Sequence, residues 1–302
     1  MRPIRAVWLF ALCVTFMASR ASAQGRPPGT ISTSGSVTGL ALFRTSTDSD
    51  GEASSGGATI SASVTRQMVQ ALTLGATASY AAEQWTIEDR TAFGQAAPWR
   101  DLRRFSVGVP ATLALSRSLV VGCSANVEWA SERGASQADA VLYGTVLSMA
   151  RVFNPRLTLG VGASVSHQFY SNKVSPFLII NWRLSERLRV ANAFSAGPEG
   201  GAGIELRDTL TPEWELAVGG VLRSDRYRLA RSGPYPGAIG EKGGDPLFAR
   251  VSRKLGEHLR ADVYAGVLAQ GRIRIKDDSG HELATTRYPA QPALAATLAF
   301  RR

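Results

Sequence analysis

The sequence predicts an all-β fold, a closed antiparallel transmembrane β-barrel of about fourteen strands, or about twelve if the weakest segments merge. Three observations point there. Long stretches alternate apolar with small or polar residues at a period of two. Two-residue turns alternate with long loops. The chain opens on an apolar leader and closes on an apolar alternating strand ending at Phe300.

The stretch Leu157–Tyr170, LTLGVGASVSHQFY, is the type. Leu157, Leu159, Val161, Ala163 and Val165 share one register; Thr158, Gly160, Gly162, Ser164 and Ser166 share the other. Successive side chains of a strand point to opposite faces, so one face is apolar and the other small and polar. The run is longer than the usual soluble strand of about 5–6 residues. It suits a strand that crosses a bilayer, which needs about 9–11.

The remaining elements repeat this pattern. Residues 1–23 form a secretory signal: Arg2 and Arg5 precede an apolar core from Ala6 to Ala18, and Ala21-Ser22-Ala23 is a small-residue cleavage site. Residues 24–34, rich in Gly, Pro, Ser and Thr, read as a flexible lead-in to a barrel over 35–302. Strands are expected at Gly35–Thr45, Gly57–Arg66, Leu72–Ala82, Arg104–Leu115, Leu119–Trp129, Ala140–Phe153 and Leu157–Tyr170. The second half adds Val174–Leu184, Leu188–Gly197, Gly201–Leu210, Trp214–Ser224, Leu247–Leu255, Leu259–Lys276 and Tyr288–Phe300. Ser116-Arg117, Asn154-Pro155, Ser185-Glu186, Thr211-Pro212 and Gly256-Glu257 make the short turns; Gln84–Arg103 and Asp225–Asp245 are long loops. That asymmetry belongs to outer-membrane barrels, and an even strand count leaves both termini on the short-turn side. A β-sandwich of this length would need two domains, yet no linker interrupts the hairpin rhythm.

Composition narrows the function classes. The chain carries a formal charge of +10 and a pI near 10.2, a balance that would suggest nucleic acid for an intracellular protein. The signal segment argues against that partner. Cleavage removes Cys13 and leaves Cys123 alone, so no intrachain disulfide is available. Lone cysteine and scattered His167, His258 and His281 have no metal-ligand spacing, and Asp48-Ser49-Asp50-Gly51 is only a fragment of a calcium loop. No cofactor is expected.

Charged residues mark the inner face. In Leu259–Lys276, Leu259, Ala261, Val263, Ala265, Val267 and Ala269 face one way, and Ile273 and Ile275 keep that phase. Arg260, Asp262, Tyr264, Arg272, Arg274 and Lys276 face the other, and Asp277-Asp278-Ser279-Gly280 forms a tight turn with Gly280 left-handed. The same parity turns Arg183, Arg223, Arg250 and Lys254 inward, with Glu205, Glu215 and Asp262 among them. On the lipid face such charges cost about 2–4 kcal/mol at mid-membrane. The candidate selectivity residues are therefore Arg183, Arg223, Arg250, Arg260, Arg272, Arg274 and Lys276, since rings of Arg and Lys favour anions. The competing reading is a lumen filled by arginine–carboxylate networks. The segment Ser232–Asp245, SGPYPGAIGEKGGD, reads as a flexible surface loop, with an inward constriction as the alternative.

The hairpin rhythm, the leader and the C-terminal hairpin LRADVYAGVLAQGRIRIKDDSGHELATTRYPAQPALAATLAF together resemble an uncharacterised family of bacterial outer-membrane β-barrels. The resemblance implies fold and outer-membrane location, and names no substrate. Such barrels commonly end on an aromatic that the assembly machinery reads; here Arg301 and Arg302 follow Phe300. HQFYSN resembles, with a longer gap, the H-x-S-N pattern of outer-membrane lipid A deacylases, placing His167 and Ser171 on one strand face. The expectation is a non-enzymatic passive channel or transporter for small anionic solutes. A plugged structural or surface-interaction barrel, or a lipid-modifying hydrolase, is the alternative. Partners would be outer-membrane lipid, the barrel-assembly machinery and small solutes.

Overall fold

The computed structural model describes residues 27–94, 96–193 and 203–302. The expected signal segment and residues 24–26 of the lead-in lie outside the described residues, as do residues 194–197 of the expected ninth strand and 201–202 of the expected tenth. The strands are β1 (Ile31–Ser46), β2 (Glu52–Val69), β3 (Leu72–Glu88), β4 (Asp101–Ala114), β5 (Leu119–Glu132), β6 (Val141–Asn154), β7 (Leu157–Gln168) and β8 (Ser171–Arg183). They continue with β9 (Leu188–Asn192), β10 (Ile204–Thr209), β11 (Trp214–Gly220), β12 (Arg223–Arg228), β13 (Ile239–Leu255), β14 (Leu259–Lys276) and β15 (Glu282–Arg301). One helical turn, α1 (Arg90–Phe93), sits between β3 and β4.

Wall neighbours pair antiparallel in chain order, β1 closes on β15, and β11 passes directly to β13. Among the described residues fourteen staves thus form a closed ring, and β12 is not one of them. Both ends of the wall lie at the short turns: the Thr33 N–H donates to the Arg302 carbonyl at 2.9 Å. The alternation dictates which face is which. Val37, Ile60, Val109, Leu147, Val161, Leu178, Val218, Val263 and Leu298 point outward, each at least half exposed. An apolar girdle running round the ring calls for lipid rather than water. The small polar register lines the inside, where Ser34 meets Ser63, Ser36 meets Ser61 and Ser79 meets Ser106, all at 2.7 Å, and Thr38 meets Thr297 at 2.9 Å.

The largest departure from the expected wall begins after Gly220. A straight continuation of β11 in the register of Leu216 and Val218 would turn Ser224, Arg226 and Arg228 toward lipid. The chain instead leaves the wall at Val221-Leu222. β12 then pairs antiparallel with the loop end of β13, from Arg223↔Gly244 to Arg228↔Ile239, and bridges the opposite wall at Ser131. Residues 239–244 of β13 are buried throughout. Together, β12 and the loop ends of β13, β14 and β15 form a sheet folded into the barrel mouth.

Other boundaries shift for local reasons. Strand character reaches back to Ile31, inside the expected lead-in, and back to Glu52 within the expected loop before Gly57. The opening-type strand ends at Gln168, because Phe169 takes a left-handed φ of 55° in the turn to β8. The second half of Ser232–Asp245 is no surface loop: Ile239–Asp245 is the buried end of β13, held on one side by β12 and on the other by β14.

Candidate functional site

Three groups of charged side chains occupy the interior. Nearest the short turns, Arg250 of β13 is fully buried and donates to Glu205 of β10 at 2.8 Å, Glu215 of β11 at 3.0 Å and Asp262 of β14 at 3.0 Å. Arg260 joins Glu215 at 3.0 Å and Asp262 at 2.8 Å; Arg207 pairs with Glu205. Three guanidinium groups against three carboxylates neutralise one another. Arg250 and Arg260 therefore sit in an arginine–carboxylate network, the arrangement named above as the competing reading. Arg183 and Lys254 are exposed at the short-turn end, where Arg183 pairs in register with Arg189.

The folded-in sheet separates the other two groups, because its strands alternate. Arg223, Asp225 and Tyr227 of β12 share a face with Lys242 of β13 and with Ile273 and Ile275 of β14. This face meets β3, β4 and β5. Arg223 bonds Asp225 at 2.9 Å, Arg104 bonds Asp225 at 3.1 Å and Glu128 at 3.2 Å, and Lys242 pairs with Glu83. Three cations again face three carboxylates. Trp85, Trp99, Ile273, Ile275, Leu42 and Tyr288 pack as one apolar cluster beside them.

The opposite face of the same sheet is basic. Arg226, Arg272, Arg274 and Lys276 surround Glu241, at 3.1, 3.7, 3.8 and 3.5 Å. Lys276 also donates to the Tyr170 hydroxyl at 2.9 Å, Arg226 to the Ser171 hydroxyl at 3.0 Å, and Arg274 pairs with Glu282 at 2.8 Å. Lys173 of β8 lies within electrostatic reach of Arg226, Glu241, Arg272 and Lys276. Five cations thus stand around two carboxylates, in the space between the sheet and the β7–β8 hairpin. Arg226 and Lys276 stack over Tyr170, at 5.0 and 5.5 Å from its ring centre.

One local irregularity produces this arrangement and overturns the expected parity of β14. Gly243 pairs with Arg272 but Asp245 pairs with Ala269, so β14 carries an extra residue at Gln270-Gly271, where Gln270 has φ 51°. Such a bulge exchanges the two faces of a strand. Ile273 and Ile275 are consequently turned into the barrel and fully buried, not lipid-facing. Arg272, Arg274 and Lys276 lie on the face opposite to Arg260, Asp262 and Tyr264. They remain clustered and basic, but against the inner wall of β7 and β8. Gly280 does take the left-handed turn position, with φ 84°.

Sequence reasoning missed Lys173, Arg226, Glu241, Glu83 and Asp225. A signal was present: RSDRYR (Arg223–Arg228) and the adjacent Glu241-Lys242 carry charge in both registers. A stave with lipid on one side cannot do that, so such segments belong inside.

The hydrolase constellation does not assemble. The His167 ring contacts the Asn172 side chain at 2.9 Å and stacks on Tyr143 on the outer face, whereas Ser171 points inward to Arg226. The turn at Phe169-Tyr170 puts the two candidate residues on opposite faces.

Similar shapes occur among solved structures. The COG4313 outer membrane channel from Pseudomonas putida F1 is 10% identical, over 93% of this chain and 98% of that one, with a TM-score of 0.48. The Pseudomonas putida toluene transporter TodX is 11% identical over 97% and 95%, with a TM-score of 0.43. The translocator domain of the autotransporter NalP from Neisseria meningitidis is 11% identical over 91% and 89%, with a TM-score of 0.35. No curated protein matches the chain. The family model described as a domain of unknown function, DUF6268, matches residues 47–233, more than half of the sequence, and the chain belongs to that family.

Proposed function

We propose that this protein is an outer-membrane channel that passes small anionic solutes passively, delivered to the membrane by its signal segment and the barrel-assembly machinery. The apolar girdle supports the membrane setting. The observation that carries the solute class is the basic face of the inner sheet, with Lys173, Arg226, Arg272, Arg274 and Lys276 set around Glu241 and Glu282. Fixed cations along a confined passage raise the local concentration of anions and repel cations.

A second reading is favoured by a different observation. The inner sheet is buried in the barrel mouth and the Arg250 network is buried nearer the short turns, as they would be in a plugged barrel serving as a scaffold. Reconstitution into planar bilayers separates the two. A channel gives stepwise conductance and an anion-selective reversal potential in a salt gradient, and Arg272→Glu with Arg274→Glu shifts that potential toward cations. No steps from protein that still shows heat-modifiable gel mobility would favour the plug. Steps with unchanged selectivity in the double variant would remove the anion assignment.

A further inference from the structure

Three arginines stand in the register that faces lipid. On β6, Leu147, Met149, Arg151 and Phe153 are exposed, with Ser148 and Ala150 buried between them. On β13, Arg253 lies between exposed Val251 and Leu255; on β2, Arg66 lies between exposed Val64 and Met68. Each falls close to the short-turn end of its strand. A charge on the outer face is tolerated best where hydrocarbon gives way to headgroups, and a long arginine stem carries its guanidinium to that level. Aromatic rings mark the same level: Arg151 lies over Phe153 at 5.4 Å from the ring centre, and Arg253 over Trp214 at 5.1 Å.

The charge is least balanced around Arg151. Arg151 pairs in register with Leu119, and the Val152 N–H donates to the Ser118 carbonyl at 2.8 Å, which brings the β4–β5 turn and its Arg117 alongside. Arg156 follows in the β6–β7 turn. All three arginines are exposed, neither turn contains an acid, and among the described residues none of the three forms an ion pair. Other short turns carry their own carboxylates: Glu213, Glu257, and Glu186 beside Arg187, which is itself bonded to Asp208 at 3.1 Å.

A phosphate is the group that suits such a corner, because guanidinium forks match its oxygens in paired, charge-assisted hydrogen bonds. A zwitterionic headgroup would bring its own cation among three arginines. An anionic headgroup brings none and is drawn in more strongly. We infer that Arg117, Arg151 and Arg156 form a docking site for the phosphate headgroup of an anionic phospholipid in the leaflet on the short-turn side. The site rests on the apolar girdle and is independent of whether the barrel conducts.

Native mass spectrometry of protein released from micelles holding equal amounts of phosphatidylglycerol and phosphatidylcholine counts the lipids retained. Phosphatidylglycerol should be retained in preference. Arg117→Gln, Arg151→Gln and Arg156→Gln together should cut that preference about tenfold. Removing as many charges from the loop end, with Arg90→Gln, Arg100→Gln and Arg133→Gln, should leave it unchanged. Heat-modifiable gel mobility checks that both variants are folded. Equal retention of the two lipids by the wild type overturns the site. So does a preference that survives the first variant, which places the attraction elsewhere, or one lost equally in the second, which assigns it to net charge alone.

Discussion

Asp89 ties three separate segments together at the loop end. Its carboxylate accepts from the hydroxyls of Thr47 at 2.7 Å, Thr286 at 2.8 Å and Ser49, and from the Ala92 N–H at 2.9 Å, which makes it the N-cap of α1. The neighbouring Asp48 accepts from the Thr286 hydroxyl and the Arg287 N–H, so the acidic loop that faintly suggested calcium instead laces β1–β2 to β15. Burial alone would raise the Asp89 pKa, but the hydrogen bonds from Ser49, Ala92, Thr47 and Thr286 outweigh it and hold the carboxyl below its usual 3.8. A carboxyl with a depressed folded pKa stabilises fully above its unfolded value and stops doing so as pH falls through the folded one. Asp89→Ala should therefore cost about 2–3 kcal/mol near neutral pH, the worth of one or two charge-assisted bonds. In urea titrations in micelles the gap between wild type and variant should begin to narrow only below about pH 4, closing further as pH falls through the depressed folded value.

At the scale of the element, the decisive feature is the bulge of β14, and its partner across the ladder is Tyr288. A Cβ on Gly271 would lie 1.6 Å from the Tyr288 ring, so only glycine lets that ring lie flat across the strand. Gly271→Ala should destabilise by about 1–3 kcal/mol through displaced packing. Adding Tyr288→Ala should cancel part of that penalty, a coupling that a double-mutant cycle in urea reads directly. Much of the wall was legible beforehand: Leu259–Lys276 runs between the residues expected from its alternation, and the turns at Ser116-Arg117, Ser185-Glu186 and Gly256-Glu257 stand where small polar pairs interrupt apolar runs. What stayed hidden was parity. A bulge adds a residue without altering composition, so Ile273 and Ile275 still alternate correctly in the text while facing the other way. The site suffered more than the fold, because Arg272, Arg274 and Lys276 were recognised as a group but not the strand, β12, that extends their sheet and adds Arg226 to their face.

Across the whole molecule, stability is unevenly distributed around the ring. Among the described residues β9, β10 and β11 are short, and Arg250 joins three neighbouring staves, β10, β11 and β14, to its own. Removing that guanidinium would leave buried Glu205 with Arg207 and buried Asp262 with Arg260 and Ser252, one positive charge short of balance. Arg250→Met should then lose about 3–5 kcal/mol, the usual outcome of breaking a buried ion pair from one side. The temperature at which the compact gel band converts to the unfolded one should fall accordingly. The same network also explains why net charge was a poor guide here. The chain's positive excess is spent unevenly, with two interior groups neutral and one strongly basic.

The extra residue in β14 has a genetic corollary. Loss of Gln270 alone would leave every other amino acid in place and still exchange the burial of all that follows up to the turn at Asp277. Isoleucines would be turned out and arginines pressed into the tryptophan cluster. A codon deletion is normally most damaging where side chains are packed most tightly. In this barrel it should be most damaging at an exposed glutamine, because what that position contributes is a count.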